Sequence, residues 1–340
     1  MPTPLEPVST EAIANELGTA PPFDSESAGA VRARVDDILR PTRAMARLDE
    51  VAVWLGGWQR TATPSVRTPA AVIFAADHGV VSEGVSAYPQ EVTAAMLTAF
   101  TADKASVSAL ARVAGASVVA IDVGVGEPTG NIRREPAMTT DRLSEAFSAG
   151  RNVIAALDAD LVVLGEMGIG NTTAASAITA ALLGHTAATV VGPGTGLDDH
   201  ALGHKIEVVD DAIARVGDQN DPIEVLRELG GAELAAIAGA LVEARLRSTP
   251  VLLDGFIATA PALVLHSIDP AFTAHCWAGH RSAEPGHTLQ LDRLGLEPLL
   301  ELELRLGEAS GAMAAVPLVQ MACALVTEVP TFTEWFAPGG

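Results

Sequence analysis

Leu304 to Ala312 reads LRLGEASGA, a lone carboxylate, Glu308, among small residues with apolar stretches on both sides. Such a position suits a general base: rigid elements would hold the carboxylate, partial desolvation would raise its pKa, and Gly307, Ala309 and Gly311 leave room for a substrate. The competing reading makes Glu308 the N-cap of the helix that follows, and the segment by itself favours the cap. A second carboxylate, Glu166, opens the run Glu166 to Thr173 (EMGIGNTT). There Gly168 and Gly170 would let the backbone approach a ligand, and Asn171, Thr172 and Thr173 begin a helix whose free N–H groups favour an anion. A phosphate cradle and a plain helix start account equally well for that run. Gly192 to Leu197 (GPGTGL), with Gly194, Thr195 and Gly196, offers further amides. Lys205 follows it, and the only other lysine is Lys104, so a mobile point charge has been kept beside a glycine loop in a chain otherwise using Arg. Together the two loops could hold one phosphomonoester.

Other polar residues are less pointed. Asp77-His78-Gly79 and the loop through Ser86 and Tyr88, the only tyrosine, could line a flat apolar pocket or form a buried structural loop. His200 and His204 lie at i and i+4, but no third converging ligand is evident, so no metal site is expected. His280, Arg281, Ser282, Glu284 and His287 read as ion-paired wall residues. The Walker A pattern, a dinucleotide fingerprint and GxSxG are all missing, which leaves ATP, NAD and a nucleophile-elbow hydrolase without support. Glu166 and Glu308 could also be a glycosidase pair, a matter that their unknown separation leaves open.

Short apolar runs at 70–76, 117–123, 161–165, 189–192, 250–253 and 274–278 alternate with helical patterns at 89–114, 143–157, 172–183, 200–216 and 232–247. This alternation predicts an α/β fold with a mostly parallel sheet covered on both faces. The polar motifs follow the strands, where open α/β sheets bind ligands. The expected organisation is a polar N-terminal tail over 1–28, a large α/β domain over 65–295, and a small helical domain from 29–64 together with 296–330. With 340 residues, 49% of them hydrophobic, the chain can bury a large core. A net charge of -21 and the absence of a basic cluster argue against nucleic acid or an anionic membrane as partner. The apolar runs fall short of a membrane span, and the polar start lacks the features of a signal peptide, so cytoplasmic residence is expected. Cys276 and Cys323 read as reduced core residues.

The motifs ADHGVVSEGVSAYPQEVT (Ala76 to Thr93), GEMGIGNTTAAS (Gly165 to Ser176), GPGTGLDD through Lys205, LLDGF (Leu252 to Phe256), AGHRSAEPGH (Ala278 to His287) and LRLGEASGA stand in one order. Over roughly residues 35 to 330 the chain resembles the nicotinate-nucleotide:dimethylbenzimidazole phosphoribosyltransferase family of cobalamin assembly. The resemblance implies a Rossmann-like three-layer α/β/α fold, a homodimer, and transfer of phosphoribose from nicotinate mononucleotide to a benzimidazole nitrogen with inversion to the α configuration. It makes Glu308 the base and Glu166 a second carboxylate near the ribose. By the same resemblance Gly168, Gly170, Asn171, Thr172, Gly194, Thr195, Gly196 and Lys205 hold the nucleotide phosphate, and Asp77, Ser86, Tyr88, Met96 and Leu306 bind the acceptor base. No metal or cofactor is implied, because a pyridinium nucleotide is already an activated donor. Departures fall at 41–48, at 100–107, at Tyr88, where some members have Ser, and at Met96, where some have Gln. They bear on the acceptor's identity more than on the reaction. Rival readings are a transferase using another base, a nucleosidase using water, and a catalytically silent nucleotide binder.

Overall fold

Five parallel strands form one sheet: β1 (Pro69–Ala75), β2 (Ser117–Asp122), β3 (Leu161–Met167), β4 (Val251–Leu253) and β5 (Cys276–Ala278). The structure is a computed structural model and describes residues 7–194 and 196–337. In the order β2-β1-β3-β4-β5, β1 pairs with β2 on one side and β3 on the other, so the chain changes direction across the sheet between β1 and β3. The loops leaving the carboxyl ends of these two strands therefore diverge and open a crevice. Phe74 pairs with Glu166, and Ala75 with Met167, which puts Glu166 at the lip of that crevice.

Both faces of the sheet are covered, because side chains alternate between them and nearly all are apolar. Val72, Phe74, Val162, Leu164, Val251 and Leu253 share one cluster with the helices Thr140–Ala156, Asn171–Leu183, Ala232–Leu246 and Phe256–Ile268. Ala71, Ile73, Ala75, Val163 and Leu252 share the other with Ser25–Asp37, Arg47–Gln59, Ser106–Ala114 and Ser310–Thr327. The result is the three-layer α/β/α arrangement. Within the second cluster, Ser25–Asp37, Arg47–Gln59 and Ser310–Thr327 bring together chain segments from both ends of the sequence. Within the segment expected to be a polar tail, Thr10–Leu17 is a helix capped by Ser9, and its Ile13 is buried in the first cluster.

Two expectations differ from the structure. The run at 189–192 is no strand: Ala187–Val190 is a single helical turn, with Ala187 and Val190 buried against neighbouring helices, and β3 pairs directly with β4. Alanine in the turn favours helix, and both sides of β3 are already taken by β1 and β4. The stretch at 89–114 divides into Val92–Thr101 and Ser106–Ala114, parted by a turn in which Asp103 has φ 56°. Finally, Ser310–Thr327 is long and apolar enough by composition to span a membrane, but 56% of it is buried inside the fold, as befits a core helix.

Candidate active site

Glu308 sits in an unusual turn. Gly307, Glu308 and Ala309 have φ of 81°, 61° and 63°, three successive left-handed residues of which only one is glycine. Such strain persists where surroundings enforce it. Here Gly165 on β3 provides the seat: a Cβ at that position would lie 2.4 Å from the Ala309 nitrogen, so only glycine lets the turn settle onto the strand. Gly307 faces Glu166 just as closely, since a Cβ there would lie 2.5 Å from Glu166 Oε1. The helix Ser310–Thr327 receives no side-chain cap from its own N-terminal flank. Instead Asp254, from the loop after β4, accepts a hydrogen bond from the Ala312 N–H at 2.8 Å. The capping role considered for Glu308 therefore belongs to Asp254, and Glu308 is left to line the cleft.

Two carboxylates share that cleft in a setting that resists their ionisation. Burial, then the negative charges of Asp254 and Glu233, push Glu166 up to about 8; Asn171, donating from Nδ2 to Oε2, opposes the rise. Burial and then Asp254 raise Glu308 to about 7. A carboxylate poised near neutrality is a competent proton acceptor. His280 flanks Asp254, with Nε2 3.5 Å from Oδ1.

The surroundings of Lys205 are equally specific. Lys205 is 1% exposed, and its Nζ donates to Thr172 Oγ1 at 2.8 Å and to the Gly192 carbonyl at 3.5 Å. Burial lowers its pKa to about 8, against the pull of Glu284. Around it Ser86, Gly168, Gly170, Asn171, Thr172 and Gly194 wall a pocket of about 50 Å³ at the N-terminus of the helix Asn171–Leu183. Backbone amides, a hydroxyl and one ammonium converging there make an anion site. Gly196, with φ 120°, shapes the loop but does not line the pocket, and Thr195 lies outside the described residues.

Beside this pocket opens a cleft of about 580 Å³ whose apolar wall includes Tyr88, Val92, Met96, Phe256, Ile257 and Leu306. Three of the five residues expected at the acceptor base, Tyr88, Met96 and Leu306, are brought together here. Ser86 is displaced towards the anion pocket, where its Oγ accepts from the Tyr88 N–H at 3.2 Å. Asp77 is not part of the wall: it is buried, and its Oδ2 accepts from the Gly126 N–H at 2.8 Å, so it fixes the loop after β2. Behind Gly168 lies a buried pair, His78 Nε2 and Glu233 Oε1 at 2.6 Å, and a Cβ on that glycine would lie 3.2 Å from the imidazole. His204 hydrogen-bonds the Glu83 carbonyl at 2.7 Å, which accounts for it without a metal. Phe256, Ile257, Glu303 and Arg305 also line the cleft and were not singled out from sequence. The signal was adjacency to Asp254-Gly255 and to Glu308, within or directly flanking the quoted motifs.

A crevice at the direction change of a parallel sheet, with an anion cradle at one end, an apolar wall at the other and two elevated carboxylates between, defines an α/β enzyme site with room for an anionic group and a flat apolar one. Comparison with known proteins makes this specific. Residues 20–335 match the family described as Phosphoribosyltransferase. The chain is 45% identical over 326 residues to the nicotinate-nucleotide–dimethylbenzimidazole phosphoribosyltransferase of Methylorubrum extorquens, covering 95% of each. To the protein of the same name from Methylocella silvestris it is 43% identical over 325 residues, again covering 95% of each. The crystal structure of CobT from Thermus thermophilus superposes with a TM-score of 0.88 at 43% identity, covering 93% of this chain and 100% of that one. The chain belongs to the nicotinate-nucleotide–dimethylbenzimidazole phosphoribosyltransferase family.

Proposed function

We propose that this enzyme transfers the 5-phosphoribosyl group of nicotinate mononucleotide to 5,6-dimethylbenzimidazole or a similar lower-ligand base, giving the α-ribazole 5'-phosphate and nicotinate for cobalamin assembly. The observation that carries the reading is the placement of Glu308, freed from capping by Asp254, in one cleft with the Lys205 anion pocket and an apolar wall. One ring nitrogen of the base attacks the anomeric carbon with its lone pair while the bond to the pyridinium nitrogen breaks and its electrons return to nicotinate. The N–H of the other ring nitrogen yields its proton to Glu308. Glu166 lies where its carboxylate can steady positive charge on the ribose, and the pyridinium of the donor draws it towards ionisation. The phosphate rests on Lys205, Thr172, Asn171 and the loop amides. Positioning of this kind supplies much of the acceleration in a displacement with little covalent help from protein. A pyridinium leaving group needs no metal or further cofactor.

Incubation of the purified protein with nicotinate mononucleotide and a panel of bases, followed by mass analysis, tests the reading. Accumulation of ribose 5-phosphate without any base adduct would turn it towards the nucleosidase. The Tyr88, Met96 and Leu306 wall supports a flat apolar acceptor over adenine, and the panel decides between them.

The pH dependence follows from the two perturbed groups. Glu308 must be ionised to accept a proton, so kcat/KM for the donor rises as pH climbs through about 7. Lys205 must be charged to hold phosphate, so the same parameter falls above about 8. A narrow bell is expected, and a profile flat across the range in which both groups titrate would remove both assignments.

For assembly we infer a homodimer. Support comes from the helix Ser310–Thr327, which carries no charged residue yet leaves Met321 54% exposed on its outer side, as suits a face covered by a second copy. Sedimentation at the mass of a single chain would overturn it. Cytoplasmic residence is supported by Cys276 and Cys323, both buried free thiols that suit a reducing compartment.

A further inference from the structure

Glu284 makes an arrangement that the transfer reaction does not explain. It precedes the helix Pro285–Leu294 but gives that helix no capping bond. Its Oε1 instead accepts from the Gly194 N–H at 3.1 Å, across 90 residues of chain, in the loop that lines the anion pocket. Its Oε2 is buried and has no hydrogen-bond partner among the described residues. The loop is wrapped tightly around this oxygen, since a Cβ on Gly192 would lie 2.3 Å from it. Lys205 and, from the cleft rim, Arg305 act on the carboxylate as favourable charges, while burial raises its pKa. A buried carboxylate is therefore held by an amide of the pocket loop and lies in the field of the pocket's ammonium, the two kinds of group that an anionic phosphate would seek.

Resting on the assignment of the Lys205 pocket to phosphate, we infer that Glu284 is an internal anion that shapes the backbone at Gly192 and Gly194 for phosphate and competes with it for the Gly194 amide and the Lys205 charge. Glu284 is then a positioning residue that sets how tightly the donor is held. It shapes the loop by supplying an acceptor to an amide that would otherwise be buried unpaired. It limits affinity because a second anion must share the same donors.

Glu284→Gln separates the two effects, because the amide oxygen still accepts from Gly194 while the charge is gone. By calorimetry, with inorganic phosphate and ribose 5-phosphate as probes, Glu284→Gln should bind roughly fivefold tighter than wild type, the scale of exchanging a charge-assisted for a neutral hydrogen bond. Glu284→Ala, which leaves the amide without an acceptor, should bind more weakly than Glu284→Gln. The donor KM should follow the same order with kcat little changed. Equal or weaker phosphate binding by Glu284→Gln, with a wild-type melting profile, would overturn the inference. Should that variant not fold, the Gly194 amide resonance of 15N-glycine-labelled wild type must move on phosphate addition, and a stationary resonance would also overturn it. Neither probe requires turnover, so lack of transferase activity would count against the proposed reaction alone. Failure of wild type to bind phosphate would remove the pocket's assignment and the inference with it.

Discussion

Glu308→Gln is expected to lower kcat by roughly a hundred- to ten-thousandfold, the range over which a positioned general base accelerates proton transfer, with binding of nicotinate mononucleotide largely retained. The substitution is isosteric and keeps a non-glycine side chain at φ 61°, so the left-handed turn seated on Gly165 is preserved and the loss reports the proton acceptor. Near-normal turnover would remove Glu308 as the base. Two stability measurements accompany this result. Glu308 has a folded pKa of about 7, above its ordinary value of 4.5, so the folded state holds the proton more tightly than the unfolded one. Its contribution to stability is therefore fully present below the unfolded pKa and is lost as pH rises through about 7. Glu308→Gln should melt like wild type at acid pH and above it at pH well beyond neutrality. Glu308→Gly should add about 1 kcal/mol at acid pH by relieving the left-handed strain of a side chain, and more above neutrality, where the buried charge is removed as well. An inactive but more stable variant is the pattern expected where strain serves catalysis.

Lys205→Ala should raise the donor KM by roughly tenfold to a hundredfold, the range for a charged hydrogen bond to phosphate, and change kcat far less. The reason lies in where the charge is kept. At 1% exposure the ammonium has lost its water, and Thr172 Oγ1, the Gly192 carbonyl and the nearby Glu284 compensate only in part. Phosphate supplies the remaining counter-charge, so the cost of holding Lys205 dry in the fold appears as affinity for the donor. Folding should be little affected, since removing a desolvated cation relieves one penalty while exposing another in Glu284. Initial-rate kinetics with varied donor at saturating base distinguish the cases, and an unchanged KM would exclude Lys205 from the phosphate site. Arginine at this position is not a conservative test, because its planar fork does not fit a pocket of about 50 Å³ built around a point charge.

Much of this site is legible in the sequence. Apolar runs alternating with helical patterns locate all five strands within a few residues, because side-chain period and turn chemistry are set by near neighbours. The glycines of Gly168 to Gly170 and of Gly192 to Gly196 announce backbone exposed to a ligand, and a lysine retained among arginines announces a charge with a task. Glu308 is visible as an isolated carboxylate, and the order of motifs identifies the family.

Other features depend on elements remote in sequence. Whether Glu308 caps its helix or is left to line the cleft is settled by Asp254, 58 residues from the Ala312 amide it occupies. Asp77, read as a pocket residue, turns inward to Gly126 because the loop after β2 happens to pass beneath it. The run at 189–192 has strand composition but becomes a helical turn, since β3 is already paired on both sides. Burial likewise belongs to the assembled layers: Glu166 is pushed up to about 8 chiefly by being covered, then by Asp254 and Glu233 from two other elements. The sequence by itself determines which elements form, where the backbone is free to approach a ligand, and which family the chain joins, for these rest on local periodicity and on residue identity. Only the tertiary structure decides which carboxylate is free to take a proton and which anion occupies which amide. Desolvation, Coulomb interactions and hydrogen-bond pairing depend on distance in space, and the chain alone does not contain that distance.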